Sequence, residues 1–150
     1  MGFKQPVSAL VVIHSPELDV LLLERAKHPG YWQSVTGSSE VGEPIAQTAR
    51  REVLEETGID AGRFQLVDWQ RSCVWEIFLE WRFRYGPGIT HNTEHVFSLR
   101  VPRDTPVTIS PSEHLSHIWL PWREAAVKCF SWTNRDAILE LPRRFGPAAD

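Results

Sequence analysis

Three glutamates within the segment 51–58 are the side chains of this chain best placed to do chemistry. If the segment is helical, residues three and four apart are neighbours, so Glu52, Glu55 and Glu56 share one patch. Such a patch is ordinarily a solvated acidic face. Two energetic costs argue against that interpretation here. Like charges at this spacing repel by roughly 0.2–0.5 kcal/mol per pair, and the dipole near a helix C-terminus disfavours each anion by roughly 0.3–1 kcal/mol. A divalent cation would relieve both costs, and grouped carboxylates favour Mg²⁺, or Mn²⁺ in its place, over zinc.

A helix must present these glutamates, and the sequence predicts one from Pro44 to Thr57. Proline suits the first turn of a helix and glycine suits the residue after its end, as Pro44 and Gly58 do here. Apolar residues recur on one side of the segment with helical period, at Ile45, Ala46, Ala49 and Val53.

The other elements predict a mixed α/β or α+β domain. Two further helices are predicted, at 123–130 and 134–141. Strands before and after one central helix, followed by helices, are typical of helices packed on a sheet. Because the chain has no repeats and no linker, residues 1–150 are interpreted as one domain. Runs rich in β-branched and aromatic residues indicate strands at 7–13, 20–23, 32–36, 64–70, 73–85, 95–101 and 115–120.

The amino-acid composition indicates which classes of binding partner to expect. The 150 residues carry a net charge of −3, without the basic surplus typical of nucleic-acid binding. An anionic small molecule is still compatible, because a metal can supply local positive charge. No apolar run approaches the roughly 20 residues of a membrane span. Cys73 and Cys129 are interpreted as reduced thiols of a cytoplasmic protein. The oligomeric state is left open.

The residues around the glutamates follow a longer pattern. Gly37 is followed after five residues by Glu43, and after seven more by a run that begins at Arg51 and ends at Ile59. This spacing resembles the Nudix box in every fixed position. The resemblance implies an α/β/α sandwich with a mixed sheet and a loop–helix–loop catalytic element. It also implies hydrolysis of a nucleoside diphosphate linked to another group.

The same resemblance implies a role for each residue of the box. Glu43 and Arg51 would pair and hold the loop against the helix, with a weak surface ion pair as the alternative. Gly37 would let the backbone approach metal or phosphates. Bound ions would bridge phosphate oxygens and activate a water molecule, without a covalent intermediate. The metal ligands would be Glu52, Glu55, Glu56 and Glu113.

The base that activates the water is left open between two kinds of carboxylate. Some Nudix enzymes use a box glutamate and others a carboxylate from a later loop. Glu113 is the first candidate outside the box, because it immediately precedes a predicted strand. Glu94 is the second, and a structural role is favoured for it.

Short motifs outside the box resemble the branch of the Nudix family that acts on 7,8-dihydroneopterin triphosphate in folate biosynthesis. They lie at 32–38, 85–88, 92–94, 113–115 and 131–135. The resemblance implies release of pyrophosphate from that substrate, with some action on dATP-like nucleotides. The alternatives are a general nucleoside triphosphate or nucleotide-sugar hydrolase and a non-catalytic ligand-binding module. The residues expected at the substrate are Lys4, Arg25, Thr36, Trp75, Glu76, Ile77, Phe78 and Ser131.

Overall fold

The computed structural model of the chain describes residues 2–145. Short 3₁₀ turns lie at Ala61–Arg63 and Leu79–Arg84. The helices are α1 (Ile45–Thr57), α2 (Trp122–Lys128) and α3 (Trp132–Phe145). The strands are β1 (Val7–His14), β2 (Asp19–Arg25), β3 (Trp32–Gln33), β4 (Val35–Ser38), β5 (Gln65–Glu76), β6 (His91–Arg100) and β7 (His114–Pro121).

The strands form a mixed sheet that divides into two arms. In the first arm, β1 pairs in parallel with β6 along its whole length and antiparallel with β4, while β5 pairs antiparallel with β6. β2 meets β1 at His14 and Val20. β2 then pairs with β7 along its length and with β3 at its end, which makes the second arm. All the pairings except β1 with β6 are antiparallel, so the predicted mixed sheet is confirmed.

Alternation along the strands buries both faces of the sheet. Val11 and Ile13 of β1 belong to a cluster with Val53 of α1. Leu10 and Val12 belong to a second cluster, which contains the buried face of α3 and part of α2. Because side chains alternate across a strand, one apolar run supplies both cores. The α/β/α sandwich is therefore confirmed.

The central helix lies close to its predicted bounds. α1 begins at Ile45, with Pro44 just outside it in an extended conformation. At the other end Gly58 adopts a left-handed φ of 74°, and its N–H donates to the Leu54 carbonyl at 2.9 Å. A left-handed residue of this kind ends many helices, and glycine adopts it without strain.

The predicted strand 32–36 is wrong in one respect, because it is broken at Ser34 into β3 and β4. The buried Asn134 of α3 causes the break. Its Oδ1 accepts from the Ser34 N–H at 2.8 Å, and its Nδ2 donates to Ser34 Oγ at 3.0 Å. At Ser34 these hydrogen bonds take the place of sheet pairing. Their partner lies 100 positions away in the sequence, so local periodicity cannot reveal it.

The predicted strands 64–70 and 73–85 are also corrected. The first continues through an irregularity between Asp68 and Ser72 into one strand, β5, and Gln70 adopts a positive φ of 53° there. The second ends at Glu76, and a 3₁₀ turn follows. Arg82 stabilises that turn, because its Nε donates to the Ile77 carbonyl at 3.0 Å.

Two further expectations concern the thiols and the membrane. Cys73 and Cys129 are free in the structure, as predicted. Among the helices within residues 2–145, none has the length and apolar character that crossing a membrane requires.

We predict that Asn134→Ala destabilises the fold by about 1–3 kcal/mol, because it leaves the buried Ser34 N–H without a partner. Urea unfolding followed by tryptophan fluorescence measures this change. Arg143→Ala is the matched control, since Arg143 lies on the same helix with its side chain 81% exposed. It should change the free energy of unfolding by no more than about 0.5 kcal/mol. Equal effects of the two substitutions would contradict the prediction.

Candidate functional site

Arg51 connects helix α1 to the loop that precedes it. Its Nε donates to Glu43 Oε2 at 2.8 Å, and its Nη2 donates to Glu43 Oε1 at 2.9 Å and to the Ser38 carbonyl at 3.0 Å. Glu43 also accepts from the Glu40 N–H and from Thr48 Oγ1. The hydrogen bonds from Arg51 lower the pKa of Glu43 to about 2. The loop is therefore fixed on the helix by a charged, multiply bonded pair.

The three box glutamates lie in three different environments. Glu56 is buried, with a side chain 3% exposed. Glu52 is nearly buried and accepts from Arg51 Nη1 at 2.9 Å. The side chain of Glu55 is 50% exposed and lies 3.5 Å from the same Nη1. Gly37 lies directly against Glu52, because a Cβ at position 37 would be 2.1 Å from the carboxyl carbon. Any side chain at position 37 would therefore displace Glu52.

Burial makes the acidic pair costly to ionise. It is the largest cause of the raised pKa of Glu52, and it raises the pKa of Glu56 well above its ordinary value, with Glu52 and Glu113 adding to the effect. His114 Nε2 is 3.8 Å from Glu56 Oε1, but burial and Arg25 lower the pKa of His114. A neutral imidazole cannot offset the charge.

The donor set suits a hard divalent cation. Glu56 Oε1 is buried without a hydrogen-bond partner among residues 2–145. Carboxylate oxygens are the ligands that Mg²⁺ prefers. Within the described part of the chain, no three acidic, imidazole or thiol side chains are already arranged around a single point as metal ligands. Ligation by Glu52, Glu55, Glu56 and Glu113 therefore stays a prediction, which the unpartnered oxygen supports.

Three of these four carboxylates, all but that of Glu55, line a cavity of about 720 Å³ between the two arms of the sheet. One part of its wall is acidic, formed by Glu52, Glu56 and Glu113. A second part is basic, formed by Lys4, Arg25, Lys27 and Arg84. The remainder is neutral, formed by Ser8, Gln33, Thr36, Ser38, Trp75, Trp81, Tyr85, Asn92, Ser112 and His114.

One cation of the basic wall contacts two aromatic rings. The guanidinium carbon of Arg25 is 5.5 Å from the Trp81 ring centroid and 5.7 Å from that of Phe130. Among residues 2–145, none of the four basic residues forms an ion pair with an acidic side chain. Burial, followed by Arg84, lowers the pKa of both Lys4 and Arg25. A group of unpaired, mutually repelling cations is suited to a multiply charged anion.

The structure brings together only part of the predicted substrate set. Lys4, Arg25, Thr36 and Trp75 line the cavity. The other four residues of the set do not line it. Glu76 pairs with Arg82 at 2.6 Å and Ile77 is buried. Phe78 is 56% exposed and Ser131 bonds to Thr133 at 2.9 Å.

Trp81 and Arg84 line the cavity but are not predicted as site residues by the sequence pattern. They are three apart in the 3₁₀ turn, where side chains at that spacing lie on one face. Because the composition of this segment predicts a strand and not a turn, the three-residue spacing gives no indication of a shared face. In the turn, an aromatic residue and a cation three positions apart identify the face that lines the cavity.

We predict that Glu43→Gln lowers the free energy of unfolding by about 1.5–3 kcal/mol at pH 7, because a hydrogen-bonded charge pair is lost. The pKa of Glu43 is lowered from 4.5 to about 2 on folding. The contribution of the ionised Glu43 carboxylate to the free energy of unfolding is therefore complete above pH 4.5 and is lost as the pH falls towards 2. Urea unfolding between pH 7 and 3 should show the difference between variant and parent shrinking with acid. Glu17→Gln, in an exposed turn, is the control. A difference independent of pH would contradict the assignment.

Comparison with known proteins gives one consistent family. The NUDIX domain family matches residues 4–141. Dihydroneopterin triphosphate diphosphatase of Escherichia coli K12 is 47% identical over 139 residues, which are 91% of this chain and 91% of that protein. The Haemophilus influenzae protein of the same name is 39% identical over 142 residues, with 92% and 88% coverage. The solved structure of the E. coli dihydroneopterin triphosphate pyrophosphohydrolase superposes with a TM-score of 0.86 at 44% identity, over 96% of this chain and 99% of that one. The chain belongs to the NUDIX family.

Proposed function

We propose that this chain hydrolyses 7,8-dihydroneopterin triphosphate to the monophosphate and pyrophosphate, with Mg²⁺ as its cofactor. The observation that carries the proposal is the cavity with an acidic and a basic wall, because a metal–triphosphate complex has charges complementary to both. The names and coverage of the two bacterial relatives support this choice of substrate.

The acidic wall would hold the metal. Glu52, Glu56 and Glu113 line the cavity, and Glu55 follows on the same helix turn. When bound there, Mg²⁺ supplies positive charge to the phosphate oxygens and lowers the pKa of a water molecule. Arg51 keeps the Glu52 carboxylate oriented through its Nη1. The residues thus hold the acids in place before substrate arrives, which is the condition for electrostatic catalysis.

The basic wall would bind the triphosphate. Lys4, Arg25 and Arg84 present ammonium and guanidinium groups to the cavity, and these bond phosphate oxygens through charge-assisted hydrogen bonds. The Trp81 and Phe130 rings restrict the Arg25 guanidinium, so little of its freedom is lost on binding. Half-buried Trp75 offers the ring system an aromatic face.

Glu113 is the proposed general base. It is exposed at the cavity. Two hydrogen bonds fix its backbone: its carbonyl accepts from the Ala26 N–H, and its own N–H donates to the Ser110 carbonyl. Glu56 is less suited to this role, because burial favours its protonated form in the absence of a cation. Glu94, the second candidate outside the box, is buried and does not line the cavity.

A general nucleoside triphosphate or nucleotide-sugar hydrolase would use the same acidic and basic walls. A screen with Mg²⁺ over 7,8-dihydroneopterin triphosphate, dATP, other nucleoside triphosphates and sugar nucleotides separates the two functions. Pyrophosphate release is the measurement for the triphosphates. We expect the highest kcat/KM for the pterin substrate, because the relatives with this name cover nearly the whole chain. Much faster turnover of dATP would contradict the pterin assignment and leave the hydrolase assignment intact.

We predict that Glu56→Gln lowers kcat by at least about 10²-fold with the fold intact, because it removes the charge of the unpartnered buried oxygen. Steady-state kinetics with Mg²⁺ and circular dichroism provide the two measurements. Glu124→Gln, on exposed α2 surface away from the cavity, is the matched control and should retain full activity. Retained turnover in Glu56→Gln would contradict the catalytic site.

A further inference from the structure

Asn92 is a buried polar side chain on the cavity wall that the phosphate chemistry does not use. It lies on β6, is 1% exposed and lines the cavity. Its Nδ2 donates to Ser8 Oγ at 2.8 Å, whereas its Oδ1 has no hydrogen-bond partner among residues 2–145. Burial of an unpaired amide oxygen is unfavourable. A ligand that donates a hydrogen bond there would remove this cost.

The surroundings of Asn92 are polar and partly aromatic, and they include the buried Glu94 two residues along the same face of β6. Ser8 lies on β1, and the next residue on the same face is Leu10 of the apolar core. Along β6 the next residue on this face is the buried Glu94, opposite Ser8 in the register, and Val96 of the apolar core follows it. Polar side chains thus replace apolar ones where this face of the sheet reaches the cavity. Trp75 of β5 is directly opposite Asn92 in the strand register, so the two side chains lie on one face as neighbours.

Ser8 sets the orientation of the amide. Ser8 is 5% exposed, and its hydroxyl oxygen accepts the Asn92 Nδ2–H, while the amide carbonyl is left without a partner among residues 2–145. The site therefore holds an acceptor in place before a ligand arrives, with an aromatic ring beside it. An N–H or amino group on the edge of a flat heterocycle matches both features. Phosphate oxygens, which are acceptors, do not match the carbonyl.

We propose that Asn92 determines ring specificity, with its Oδ1 accepting a hydrogen bond from the amino or ring N–H edge of the substrate heterocycle while Trp75 packs against the ring. This inference rests on the proposed function, because that function brings a heterocyclic triphosphate into the cavity. The 2-amino-4-oxopyrimidine ring of a pterin carries such donors on one edge. A site built around a substrate N–H discriminates strongly against rings that lack it.

The competing interpretation is that Asn92 only fastens β6 to β1. A fastening role predicts that removal of the amide lowers stability and weakens all ligands together. A recognition role predicts loss of ring binding alone. Two probes separate these roles: neopterin, which has the ring and no phosphate, and inorganic triphosphate, which has the phosphates and no ring.

The experiment compares Asn92→Leu, which keeps the side-chain size, with the parent protein. Quenching of neopterin fluorescence gives the Kd for the ring, and inhibition of the Mg²⁺-dependent reaction gives the Ki for inorganic triphosphate. We expect a roughly tenfold weaker Kd for neopterin and a Ki changed by less than about twofold. Ser8→Ala removes the hydrogen bond that orients the Asn92 amide but keeps the Oδ1 acceptor. It should weaken neopterin binding by about threefold. Thr93→Ala, on the opposite face of β6, is the control and should change neither constant.

Unchanged neopterin binding in Asn92→Leu would overturn the proposal. So would parallel losses of neopterin and triphosphate binding together with a fall in the Tm, which would show a purely structural role. Failure of the proposed function has a different signature. The parent protein would then turn over adenine nucleotides and bind no neopterin, and the same comparison with adenosine as the ring probe would test Asn92.

Discussion

The site depends on a single guanidinium. Arg51 bonds Glu43, the Ser38 carbonyl and Glu52 within 3.0 Å, so one side chain joins the end of β4, the following loop and helix α1. Its positive charge is also the nearest compensation for the acids of that helix. Arg51 gives the loop a charged anchor on α1 and gives Glu52 a hydrogen-bond donor that orients it. The glycine, glutamate and arginine of the Nudix box thus act together to position the loop and Glu52.

The cavity concentrates charges that burial makes unfavourable and that the fold only partly compensates, through Arg51 beside Glu52. Burial raises the pKa of Glu52 and Glu56 on one wall and lowers the pKa of Lys4 and Arg25 on the other. Each group is thus held in surroundings that oppose its charged form. A metal ion and a polyphosphate would relieve both walls at once. Stability sacrificed in this way is common where a site must be prepared before its ligand arrives.

Sequence reasoning succeeded where the determinants are local. The helix from Pro44 to Thr57 and its stop at Gly58 follow from periodicity and glycine geometry, and the structure places the helix within one residue of those bounds. It failed where a distant contact overrides local preference. The break at Ser34 depends on Asn134. The segment that presents Trp81 and Arg84 forms a turn although its composition favours a strand. The buried acceptor of Asn92 is visible only after the strands are paired.

The proposed chemistry requires that the unpaired carboxylate of Glu56 form part of a divalent-metal site. Titration of the protein with Mn²⁺, followed by the electron paramagnetic resonance of the free ion, tests this claim without any assumption about the substrate. We expect saturable Mn²⁺ binding by the parent protein and affinity weakened at least about tenfold in Glu56→Gln. Equal Mn²⁺ affinity of the two proteins would contradict it.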